Sequence, residues 1–177
     1  ILNGIGRLQE AEFLYQKAIE IKPDYADAHY NLGNTLSNLG RLQEAELSYR
    51  KAIEIKPDNA IAHSNLATIL RDLGRLPDAE FSFRKAIEIK PNFAKAYYSL
   101  SLIKYSDDNK IWQKKLFSEN ILINKSQQDQ VDIYFARANI LHMEKNYVES
   151  SKFLKLGNQL KLLLQPSKAD ILINKSK

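Results

Sequence analysis

The heptapeptide Lys-Ala-Ile-Glu-Ile-Lys-Pro occurs at residues 17–23, 51–57 and 85–91, each copy 34 residues after the last. A fixed period of this length means that each copy is one small supersecondary unit, able to bury its apolar face only by stacking on the next. Inside each unit, apolar residues recur at helical spacing in two blocks. A Gly-Arg-Leu turn at Gly6, Gly40 and Gly74 separates the blocks, and Pro23, Pro57 and Pro91 close the second. The period predicts a string of helical hairpins.

Two helices that cross closely need small side chains at the crossing and larger ones in the gaps beside it. Gly33, Ala45 and Ala52, then Ala67, Ala79 and Ala86, supply the small positions. Leu32, Leu36 and Tyr49, then Leu66, Leu70 and Phe83, supply the large ones. A 34-residue unit with this order of small, large and closing-proline positions resembles the tetratricopeptide repeat (TPR). The resemblance is strong over residues 1–93 and implies an all-α fold, a right-handed superhelical solenoid of antiparallel helix hairpins.

About five units are expected. Residues 1–25 form a truncated first unit that opens in mid-helix, so the chain reads as a fragment; 26–59 and 60–93 are regular units. Residues 94–130 form a degenerate unit: 94–104 reads as a first helix, 105–110 as a polar turn, and the helix expected around 111–123 lacks a small crossing residue. Residues 131–165 form a divergent unit, with Ala138, Leu141, Ser150, Leu154 and Gly157 in the small and large positions around a turn at 145–147. Residues 166–177 are a capping helix or the start of a further repeat. The sequence Ile-Leu-Ile-Asn-Lys-Ser, present at both Ile121 and Ile171, fits no repeat period.

Stacked hairpins line a concave face with their first helices. The resemblance implies that the second, fifth, sixth, ninth and twelfth positions of each first helix point inward. These are Asp27, Tyr30, Asn31, Asn34 and Ser37; then Ile61, Ser64, Asn65, Thr68 and Arg71; then Lys95, Tyr98, Ser99, Leu102 and Tyr105. Neighbouring helices lie about 8–10 Å apart and an extended chain advances about 3.3–3.6 Å per residue, so one repeat matches roughly three residues of bound peptide. A carboxamide offers both donor and acceptor, which lets Asn31 and Asn65 pair with a peptide backbone without reading its side chains. The expected function is a protein-interaction scaffold that binds an extended polypeptide through Asn31, Asn34, Asn65, Thr68, Arg71, Lys95, Tyr98 and Ser99.

The phrases Tyr-Asn-Leu-Gly-Asn at 30–34 and His-Ser-Asn-Leu-Ala at 63–67 also resemble the TPR arm of O-linked N-acetylglucosamine transferases, where an asparagine ladder holds substrate chains. Only two rungs are present, since Ser99 and Ala136 take the equivalent places. Asn34, Asn65 and Lys95 stand at three positions of the carboxylate clamp of TPR co-chaperones, but Tyr30 and Ser99 replace two of its basic residues, which removes most of the charge that grips an anion. Residues 132–161 resemble the stretch before the sulfotransferase domain of some bacterial TPR proteins. That implies an alternative, a substrate-recruiting arm of a larger sulfotransferase or glycosyltransferase whose catalytic domain lies outside this chain. A third alternative is a self-assembly module, a homo-oligomer joined through the repeat ends.

Other features argue for exclusion. No Ser/His/Asp grouping or phosphate-cradling glycine loop appears, so this segment is not expected to be an enzyme or to hold a cofactor. His29 and His63 occupy equivalent positions that hold Tyr97 and Tyr134 later, which reads as a slot for a ring rather than a metal site. Trp112 reads as packed into an irregular helix junction, beside Lys114 and Lys115. The chain has no cysteine, which suits a cytoplasmic, reducing setting. No apolar run approaches the roughly 20 residues that span a bilayer. The net charge of +5 is uneven: residues 1–90 hold 12 Lys/Arg against 13 Asp/Glu, residues 91–177 hold 14 against 8. The later lysines, Lys152, Lys155, Lys161 and Lys168, lack the aromatic interleaving of a nucleic-acid groove. Neither nucleic acid nor membrane is expected as a partner.

Overall fold

A computed structural model describes residues 2–103 and 111–164, with side chains from Gly6 onward. The described residues form nine α-helices and one 3₁₀ turn, with no strand among them. The chain divides into two compact units, Ile1–Pro91 and Asn92–Lys177.

The first unit holds α1 (Leu2–Ile21), α2 (Ala26–Asn38), α3 (Leu42–Ile55), α4 (Ala60–Asp72) and α5 (Leu76–Ile89). Each helix packs on its neighbour in sequence, α2 with α3 and α4 with α5 forming the hairpins and α3 with α4 joining them. The small residues foreseen at the crossings are fully buried: Ala45, Ala67, Ala79 and Ala86 expose none of their surface, and Ala52 only 1%. At Gly33 the approach is closest. A β-carbon there would lie 2.8 Å from the Tyr49 ring, so glycine is what admits that ring.

The hairpin turns follow from Gly40 and Gly74, both in the left-handed region at φ 76° and 78°. The following Arg41 and Arg75 amides donate back to Leu36 and Leu70, closing a Schellman turn that satisfies carbonyls at the helix end. The same arginines clamp outward. Arg41 donates to Glu44 three residues on and to Glu12 on the preceding second helix, and Arg75 repeats this with Asp78 and Glu46.

Gly6 does not behave as its repeat equivalents do. It lies inside the continuous helix α1 rather than in a turn. Gly40 and Gly74 adopt the left-handed conformation that ends a helix, whereas Gly6 does not, and the helix runs through it.

The second unit holds α6 (Ala94–Ser101), α7 (Ile111–Leu116), a 3₁₀ turn (Glu119–Leu122), α8 (Gln127–Met143) and α9 (Tyr147–Leu164). α6 stops at Ser101, three residues short of the expected end. The helix foreseen over 111–123 is broken after Leu116. Arg137, 7% exposed, inserts from α8 and donates from Nε to the Leu116 carbonyl and from Nη2 to that of Ser118, each at 2.9 Å. A cation at a helix C-terminus is favourable, and once it holds these oxygens they are not needed to continue the helix. The guanidinium also lies 5.8 and 5.3 Å from the Phe117 and Phe153 ring centres.

α8 begins four residues before Val131 because Ser126 caps it, accepting from the Asp129 amide. The turn expected at 145–147 is present, with a substitution: Lys145 takes the glycine position at φ 62°, and the Asn146 amide donates to Leu141. Leu154 does not fill a large core position, being 41% exposed. Phe135 does so from the opposite helix, seated over Gly157, where a β-carbon would be 2.7 Å from its ring. The glycine and the aromatic ring have exchanged helices relative to Gly33 and Tyr49. Trp112 is 4% exposed, with its ring centre 6.5 Å from that of Tyr97. The polar turn at 105–110 and the cap or further repeat at 166–177 lie outside the described residues.

Candidate binding face on the first helices

In the first unit, α2 and α4 bring their predicted residues together through side-chain contacts. Asn65 Nδ2 donates to Tyr30 Oη at 3.2 Å and to Asn34 Oδ1 at 3.0 Å. Asn34 Oδ1 also accepts from the Tyr49 hydroxyl at 2.8 Å. Tyr30, Asn34 and Asn65 are half-buried, whereas Tyr49 exposes 2% of its surface and its ring sits 6.0 Å from that of Tyr30. Burial, then the neighbouring Tyr30, pushes the Tyr49 phenol up to about 12, so it remains a protonated donor at any physiological pH.

Asn31 is half-buried and its carboxamide makes no hydrogen bond among the described residues; only its backbone carbonyl is engaged, accepting from Thr35 at 2.9 Å. Thr68 turns its hydroxyl back to the Ser64 carbonyl at 3.0 Å, and Arg71 donates to its neighbour Asp72 at 3.1 and 3.0 Å. Ser64, expected to point inward, is 2% exposed.

In the second unit, Lys95 is exposed and near enough to Asp132 to offset in part the burial that raises its carboxyl above the usual range. Tyr98 is half-buried with its ring 6.2 Å from that of Phe135. Ser99 departs from expectation: at 7% exposure it has almost no surface left for a ligand. Leu102 is exposed, and Asn139 on α8 donates to Ser101 at 3.0 Å. Tyr105 lies outside the described residues.

Sequence reasoning missed Tyr49 as part of this face. Its hydroxyl is all that distinguishes it from Phe83, its equivalent one repeat later, and in a core position that single atom is the only available signal. The histidine slots have a polar explanation: His29 and His63 place Nε2 2.8 and 3.0 Å from the carbonyls of Pro23 and Pro57, tying each first helix to the loop before it.

A cleft of about 330 Å³ opens between α3 and α5, floored by Leu66 and Leu70 of α4, with His63 and Phe81 among its lining residues. Phe13, Leu47 and Phe81, one repeat apart, are 57%, 68% and 62% exposed. Among the described residues no cluster of three or more His, Cys, Asp or Glu side chains can hold a metal ion, and no helix is long and apolar enough to cross a membrane.

The helical hairpins, their 34-residue period and the glycine-aromatic crossing meet a direct match in sequence. The tetratricopeptide-repeat family model matches residues 26–59 and 60–93, and a second TPR-repeat model matches 5–40, together spanning just over half of the chain. The chain belongs to the tetratricopeptide-repeat family. Among solved structures it is similar to YrrB, described as a TPR protein with an unusual peptide-binding site, at 19% identity over 99% of this chain and 87% of that one, TM-score 0.66. MamA is similar at 20% identity over 88% and 90%, TM-score 0.65. An O-GlcNAc transferase of Thermobaculum terrenum matches 75% of this TPR chain with 23% of its own length, at 21% identity and TM-score 0.53. At these identities the likeness speaks for the fold. No curated protein sequence matches the chain.

Proposed function

We propose that this TPR chain binds an extended polypeptide across the face formed by α2 and α4, with Asn31, Asn34 and Asn65 as the principal contacts and Thr68 and Arg71 at the margin. The observation that carries the reading is the partly exposed row of carboxamides, of which Asn31 is unspent and Asn34 and Asn65 are held in fixed positions by one another and by two tyrosines. Preorganised amides lose little freedom on meeting a ligand. In the second unit, taken by itself, Lys95 and Tyr98 on α6 offer a cation and a ring as polypeptide contacts of their own; Ser99 is too buried to share in this. On this reading the bounds of the units are 1–25, 26–59, 60–93, 94–130 and 131–165.

The test is fluorescence polarisation with a labelled alternating Gly-Ala decapeptide. The double variant Asn31→Ala, Asn65→Ala is expected to lose about tenfold in affinity, the worth of one to two net hydrogen bonds, at unchanged mass in solution. Unchanged affinity refutes the reading.

A second reading, self-assembly through a repeat end, draws on α9. Val148, Leu156, Leu162 and Leu163 on that helix are 69%, 42%, 67% and 70% exposed. Under it, Leu156→Lys with Leu163→Lys lowers the mass measured by light scattering, and the asparagine variants leave that mass alone.

A further inference from the structure

Resting on the peptide-binding reading above, the geometry points to Tyr49 as a positioning residue that gives the α2–α4 face a preference for carbonyl oxygens, and hence for proline-rich extended segments. Asn34 has one acceptor oxygen and one NH₂ group. The oxygen is taken twice from within the protein, by the Tyr49 hydroxyl at 2.8 Å and by Asn65 Nδ2 at 3.0 Å. Tyr49 is 2% exposed, and a phenol that deep needs an acceptor for its hydrogen. Asn34 supplies it, and both hydrogens of the Asn34 amide are left without a partner among the described residues. A half-buried asparagine that would otherwise offer either end to a ligand thus offers donors only.

The cause lies deeper still, at Gly33. The missing side chain lets the Tyr49 ring approach α2 closely enough for its hydroxyl to reach the next residue, Asn34. In the following repeat Phe83 and Thr68 stand at the places of Tyr49 and Asn34, and Thr68 spends its hydroxyl on its own helix. The donor bias is therefore local to one repeat.

A ligand chain presents both N–H and C=O along its length, except where it contains proline, which keeps the carbonyl and lacks the N–H. Opposite a donor-only Asn34, a proline loses nothing and, being already extended, pays less ordering entropy than other residues. The half-buried Tyr30 ring beside it offers the flat apolar surface on which a pyrrolidine ring packs.

The experiment compares labelled decaproline with the Gly-Ala decapeptide on the full chain. Wild type is expected to bind decaproline the more tightly. Tyr49→Phe keeps the ring and removes one of the two donors that hold the Asn34 oxygen, so the ratio of the two affinities should fall about fivefold. Asn34→Asp keeps an oxygen for Tyr49 and replaces the outward donors with an acceptor; it should abolish decaproline binding without relying on how Tyr49→Phe folds. Binding of the Gly-Ala peptide but not decaproline overturns the carbonyl preference and leaves the face reading standing. An unchanged ratio in Tyr49→Phe overturns the role of Tyr49, and decaproline binding retained by Asn34→Asp overturns the donor-only face. Binding of neither peptide overturns this inference together with the reading on which it rests.

Discussion

Two backbone positions decide how the hairpins turn and cross, and each makes a prediction. Lys145 occupies the left-handed position that Gly40 and Gly74 fill elsewhere, at φ 62°. A side chain there costs about 1 kcal/mol, so Lys145→Gly is expected to stabilise the chain by about that amount in urea denaturation. Gly33→Ala should do the reverse. The new methyl group meets a ring that is itself buried, and overpacking of this kind costs about 1–3 kcal/mol. His63 adds a pH dependence. Burial chiefly, with Lys85, holds it below the usual 6.5, against the opposing pull of the Pro57 carbonyl and Glu88. The unfolded chain therefore takes up this proton at a higher pH than the folded one. The stability His63 contributes is complete above 6.5 and is lost as the pH falls through its folded value; a denaturation series from neutral to mildly acidic pH should flatten in His63→Gln.

Helices α2 to α5 were legible in the sequence because the repeat states each of them twice, with glycine, proline and alanine in the same places. At Gly6 the motif was legible but the conformation was not, since a repeat motif gives the residue and not its backbone dihedrals. The end of α7 was not legible either. It is set by Arg137, 21 residues further along the chain than Leu116, and nothing in the local composition of 111–123 announces a partner at that distance. The exchange of Gly157 and Phe135 is invisible for a similar reason, because small and large positions can be counted along a sequence without knowing which helix supplies which. Of the candidate face, the asparagines were legible from their register; the Tyr49 bond that orients one of them was not. Arg137→Met keeps the volume between Phe117 and Phe153 but leaves two carbonyls without their donor, which is expected to cost about 2–4 kcal/mol and to speed amide exchange through 111–118.

At the scale of the whole molecule, stability in a repeat array is close to a sum of nearest-neighbour terms, so position along the stack governs local opening. α2, α3 and α4 are each covered by a helix on both sides, but the outer neighbour of α2 is α1. α1 has no fully buried side chain among those described, and α9 has only Ser150 and Gly157. Hydrogen exchange is expected to show its strongest protection in the first unit in α3 and α4, falling towards α1, and in the second unit to be weaker in α9 than in α8. The single tryptophan makes the second of these units separately observable. Trp112 is the chain's only indole and is almost wholly enclosed beside Tyr97, while residues 1–91 contain none. Emission excited at the red edge of its absorption band therefore reports on residues 92–177 alone, whereas circular dichroism sees every helix. A chain whose two signals melt at different temperatures carries its own label for which half lets go first.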